Sequence, residues 1–75
     1  MPQAQFDLGI FYRDGRGVTR DLPRAYMWFY LSAQGGRKKA EVARDALAHD
    51  LTASQRSKAE KDAMDYCKQQ VKDCK

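Results

Sequence analysis

The sequence predicts an all-α fold of stacked helical hairpins, and three observations carry that prediction. Apolar residues recur three, four and seven positions apart along most of the 75 residues, the spacing that lines one side of an α-helix. Two glycine pairs, Gly15 with Gly17 and Gly35 with Gly36, interrupt the pattern where a run of helices has to turn. The second half then repeats the apolar skeleton of the first at a nearly constant offset. A helix–turn–helix unit of this size cannot bury its apolar faces alone and stacks on a copy of itself.

A first helix is predicted over residues 3–13, where Ala4, Leu8, Phe11 and Tyr12 form the main stripe and Phe6, Ile10 and Arg13 form a second one. Gly9 lies inside this helix and costs about 1 kcal/mol relative to alanine there, which predicts the close passage of another helix backbone. Asp14-Gly15-Arg16-Gly17 reads as a turn. Asp21 is a good N-cap and Pro23 sits in a first turn, so a second helix starts near Leu22 and runs to about Gln34, stopped by Gly35 and Gly36. Ala25, Trp28, Phe29, Ser32 and Ala33 have core spacing in it. Tyr26, Met27, Tyr30 and Leu31 make it apolar nearly all round, which predicts cover on more than one side, from this chain or from another.

Ala40, Ala43, Leu47 and Leu51 place a third helix over residues 38–49, and the capping box Thr52-Ala53-Ser54-Gln55 opens a fourth. That helix carries Ala59, Ala63, Tyr66, Cys67, Val71 and Cys74 on one side and charged residues on the other. Ala4, Leu8 and Gly9 recur as Ala43, Leu47 and Ala48 at an offset of 39, while Ala25, Trp28, Phe29 and Ala33 recur as Ala63, Tyr66, Cys67 and Val71 at an offset of 38. Residues 1–75 are therefore expected to be a single domain, with a first repeat over 3–36 and a degenerate capping repeat over 37–75. The second copy has a shorter turn without glycines and a more charged outer surface, as suits a terminal repeat.

Composition limits the function. Hydrophobic residues make up 43% and charged residues 32% of the chain, the balance of a folded domain. A domain of this size hides only about 60–65% of the surface its unfolded chain exposes, so its stability margin is thin. The 14 basic residues are interleaved with 10 acidic ones for a net charge of +4, a pattern that argues against a dedicated nucleic-acid patch. No apolar run reaches the roughly 18–20 residues that span a bilayer, and residues 1–5 are not a basic-then-apolar export signal. The chain as written is expected in the cytoplasm; removal of a leader would place it in the periplasm or outside the cell.

Ala4, Leu8-Gly9, Tyr12, Gly15, Gly17-Val18, Asp21, Ala25, Trp28-Phe29, Ser32-Ala33, Gly36 and Ala40 together resemble a Sel1-like repeat, a helical-hairpin family related in shape to tetratricopeptide repeats. The resemblance covers about residues 3–40, and Ser32 stands where the family usually has a second alanine. It implies an α/α solenoid that acts as a scaffold for proteins or peptides. Many bacterial members are adaptors in signalling or envelope processes, and the family implies no catalysis.

No catalytic, cofactor or metal site is expected. His49, the single histidine, has no triad partners or zinc-ligand spacing around it and reads as a surface residue near a helix end. Gly15-Arg16-Gly17 lacks the strand and the glycine-lysine-serine ending of a phosphate loop. Cys67 and Cys74 are seven apart, about 10.5 Å on a continuous helix, against the roughly 4.4–6.8 Å that a disulfide needs. An internal bond would break the last helix and point to an oxidising compartment; an interchain role and plain packing are the alternatives. The expected partner-binding residues are Phe6, Ile10, Arg13, Tyr26 and Tyr30, because aromatic and arginine side chains off the core stripe are the types that carry interface energy; packing of the same side chains on the following helices or against a second copy of the chain is the other reading. The partner is a protein or peptide, with a homodimer through the aromatic side as the alternative. A basic nucleic-acid-associated protein and a regulatory subunit of an envelope enzyme are the rival readings.

Overall fold

A computed structural model describes residues 2–70, with the side chains of 4–66 and 68. Four helices follow one another: α1 (Pro2–Asp14), α2 (Leu22–Gln34), α3 (Lys38–Ala48) and α4 (Ala53–Gln70). No strand occurs among the described residues. Val71 and Cys74, the side chain of Cys67 and the question of a Cys67–Cys74 bond lie outside them.

The helix boundaries come from local chemistry. α1 ends where Gly15 and Gly17 take φ values of +72° and +73°, a left-handed backbone that L side chains resist. The Asp21 carboxylate accepts from the Arg24 amide at 3.1 Å and starts α2, satisfying one of the free donors of its first turn. Gly36, at φ +99°, turns the chain out of α2. Before α4 the Thr52 hydroxyl accepts from the Gln55 amide and the Gln55 side-chain oxygen accepts from the Thr52 amide, both at 3.0 Å. This is the reciprocal capping box that the sequence spells out.

α2 is the centre of the molecule. It packs against α1, α3 and α4, whereas α3 and α4 barely touch each other. Its near-continuous apolar surface therefore has a cause inside the chain: three helices cover it. Phe29 faces α1 and Met27 lines the contact with α4. Two residues apart is about 200° around a helix, so α1 and α4 lie on roughly opposite sides of α2.

Ala25, Tyr26, Phe29, Leu47 and Ala59 form the buried core, with Phe6, Ile10, Tyr12, Leu22, Met27 and Leu51 packed around them. The small residues expected at close contacts are there: Ala25, Ala40 and Ala63 are fully buried. α1 is rotated from the sequence expectation. Ala4 is exposed and Phe11 is 42% exposed, while Phe6 and Ile10 face the core. The side that turns inward is the one holding Gly9, because only there can a large ring from α2 come close.

Candidate interaction face

The site is built from that glycine upward. A Cβ at Gly9 would lie 2.5 Å from Cε1 of Phe29, so the missing side chain makes the notch in which a fully buried ring sits. The sequence anticipates a close approach here, but the visitor is the Phe29 ring and not a helix backbone. Phe6, three residues before Gly9, stacks on Phe29 at a tilt, with centroids 5.5 Å apart. Arg13, one turn after Gly9, lays its guanidinium 6.0 Å from the Phe29 centroid. Arg37, from the turn into α3, lies 4.9 Å from the Phe6 centroid. The order Arg37–Phe6–Phe29–Arg13 is thus a ladder of two rings between two cations, drawn from α1, α2 and the turn before α3. The negative face of each ring attracts the guanidinium over it.

Ile10 is half-buried beside this ladder against the core. Arg13 also donates from Nε to Asp14 at 3.0 Å. That bond, helped by the charges of Arg13, Arg16 and Arg20, holds the Asp14 carboxyl below its usual range, although desolvation pulls the other way. Arg37 Nε is buried with no partner among the described residues.

Tyr26 and Tyr30 stand apart from the ladder, on the side of α2 that faces α3 and α4. Tyr30 is half-buried, 6.3 Å from Tyr26 and under the Arg44 guanidinium at 6.0 Å. Tyr26 is only 4% exposed and its hydroxyl donates to Glu60 Oε2 of α4 at 2.8 Å. Burial, then that hydrogen bond and the Glu60 charge, push the Tyr26 phenol well above its ordinary value, against a smaller pull from Arg44 and Arg56. The five residues singled out in the sequence therefore form two groups: Phe6, Ile10 and Arg13 around Phe29, and Tyr26 with Tyr30 against α3 and α4.

Sequence reasoning missed Arg37, which reads as one charge in a basic run. Its position directly after a helix-ending glycine pair is the signal that it folds back over the first hairpin. On the far side of α2, residues at the start of α2 and along α4 line a groove of about 660 Å³, which has no local signature because its two walls come from distant stretches of the sequence. His49 is exposed at the C-cap of α3. Among the described residues no three His, Cys, Asp or Glu side chains are grouped to hold a metal ion, and no helix is long and apolar enough to cross a membrane.

Residues 2–36 match the family model of the Sel1 repeat. That family consists generally of protein–protein interaction modules, typically non-catalytic. The chain is also 40% identical over 40 residues to the chitin synthase regulator SKT5 of Saccharomyces cerevisiae, a stretch that covers 53% of this chain and 6% of that protein. No solved structure gives a significant match.

Proposed function

We propose, from the premise that residues 2–36 are a Sel1 repeat, that this chain is a non-enzymatic interaction module presenting a helical-repeat surface to a protein or peptide partner. Residues 37–75 serve as a degenerate capping repeat that closes the stack on α2. The observation that supports the reading is the ladder. The Phe6 ring and the Arg13 guanidinium are held against a core residue, Phe29, and the Arg37 guanidinium, its Nε buried, lies over Phe6, so all three are ordered before any partner arrives. Preordered side chains lose less entropy on binding than free ones.

In this reading Phe6, Ile10, Arg13 and Tyr30 contact the partner. Tyr26 backs Tyr30 alone, 6.3 Å from it on the side of α2 that faces α3 and α4, since it is buried and tied to Glu60. The yeast relative is named as a regulator of an enzyme, a role consistent with binding in place of catalysis.

The experiment is a capture of binding proteins with the wild-type chain beside an Ile10→Ala, Arg13→Ala variant, with circular dichroism establishing that both are folded. The reading predicts that specific partners are lost by the folded variant. Equal capture by both proteins contradicts the assignment of this face.

A further inference from the structure

The groove on the far side of α2 has a different chemistry from the ladder. Its lining comes from Asp21, Pro23, Arg24 and Met27 at the start of α2, and from Gln55, Lys58, Ala59, Asp62, Asp65 and Tyr66 of α4. Its volume, about 660 Å³, is within the roughly 300–1,000 Å³ of pockets that accept small ligands. The floor is apolar. Ala59 is buried, Met27 is packed on the core, and the Tyr66 ring is held edge-on by Trp28 at 5.1 Å. A methyl side chain at position 59 fills too little space to close the gap between Met27 and Tyr66.

The walls carry three carboxylates and two cations, and those charges are not equally committed. Arg24 lies 5.4 Å from the Tyr12 centroid, and its Nε is 3.8 Å from Asp21, so these two charges answer each other. Asp62 and Asp65 make no ion pair or hydrogen bond among the described residues. With Arg24 paired to Asp21, Lys58 is the cation of the lining left to offset them. On a chain of net charge +4, this groove thus carries an excess of unanswered negative charge above an apolar floor.

We propose that this groove docks a peptide segment in which an apolar side chain neighbours a lysine or arginine. The apolar side chain seats on Met27, Ala59 and Tyr66, and the cation meets Asp62 and Asp65. Charge complementarity selects this occupant over an acidic or neutral one, and it discriminates partners more than it adds raw affinity. The surface is separate from the ladder, so the chain can bridge two partners.

The test uses the 75-residue chain labelled with ¹⁵N and three synthetic hexapeptides whose central pairs are leucine–arginine, leucine–glutamine and leucine–glutamate. The arginine peptide is expected to shift the amides of residues 24–27 and 58–66, and the glutamate peptide to leave them in place. An Asp62→Asn, Asp65→Asn variant should weaken the arginine peptide about three- to tenfold, the range set by two partly solvated ion pairs. Lys58→Gln, which removes the opposing cation, should tighten it about two- to threefold by the same reasoning, and it keeps the test decisive if the double variant does not fold. The proposal is overturned if the arginine and glutamine peptides bind alike, if neither charge variant changes the affinity, or if the shifts map elsewhere. Shifts of the groove amides on raising protein concentration without peptide would also overturn it, because the occupant would then be a second copy. None of these variants touches Phe6, Ile10 or Arg13, so the outcome is separate from that of the first face.

Discussion

The two sides of α2 are closed by opposite means. Toward α1, a glycine lets an aromatic ring fill the interface, and Phe6 and Arg13 clamp that ring from either side. Toward α4, small side chains meet: Ala59 and Ala63 allow the helices together, Tyr26 reaches across to Glu60, and a groove remains beside them. One large group in a matched notch leaves no space to fill, whereas small groups leave room for something else. The first arrangement makes a rigid support for surface side chains, and the second makes a concavity.

The largest break in this contrast is expected on the α1 side. Phe29→Ala removes the ring that both clamps hold and should cost about 3–5 kcal/mol. For a domain of this size total stability is about 4–11 kcal/mol at roughly 0.05–0.15 per residue, so thermal denaturation followed by circular dichroism should show a largely lost or very low transition. A next, smaller effect comes from filling the notch. Gly9→Ala gains about 1 kcal/mol of helix propensity, but it forces a Cβ to within 2.5 Å of a buried ring. Overpacking of that kind costs about 1–3 kcal/mol. The net is a loss of roughly 0–2 kcal/mol in a urea titration; a gain would show that the ring moves freely and that the notch is not a fixed contact.

On the α4 side, Tyr26→Phe deletes one hydrogen bond to a half-exposed carboxylate and should cost about 1 kcal/mol. It also carries a pH signature. Burial and Glu60 raise the Tyr26 phenol in the fold, so the unfolded chain gives up its proton first. Stability from this group is complete below about pH 10, the unfolded value, and is lost as pH rises above it. Melting temperatures measured from pH 8 to 11 should fall more steeply for the wild type than for Tyr26→Phe; parallel curves would sever the link between the bond and the fold. The smallest effect belongs to neither side. Val42 is 71% exposed on α3, and Val42→Ala should change stability by less than about 0.5 kcal/mol in the same titration.

Much of this architecture was legible because the signals are local. Asp21, the Thr52–Gln55 box and the turn glycines fix helix ends through atoms three residues away or fewer, and a sequence displays such neighbours directly. The Sel1 resemblance and the alanine spacing pointed to close helix packing in the same way.

What the sequence did not reveal depends on rotation and on distant partners. α1 carries two apolar stripes of similar strength, and only the position of Phe29 decides that the Phe6–Ile10 stripe turns inward while Phe11 stays out. Tyr26 looked like a surface aromatic because its partner, Glu60, is 34 residues away. The groove needs Asp21 and Asp65 on one site, and no periodicity within a single helix connects them.

The central claim is that α2 is the common support on which both sides are built, and native-state hydrogen exchange tests it most directly. The account predicts that the amides of residues 26–33 exchange only with global unfolding, while those of α1, α3 and α4 open earlier through local events. It is contradicted if amides of α3 or α4 outlast those of α2, or if α2 opens while α1 remains protected.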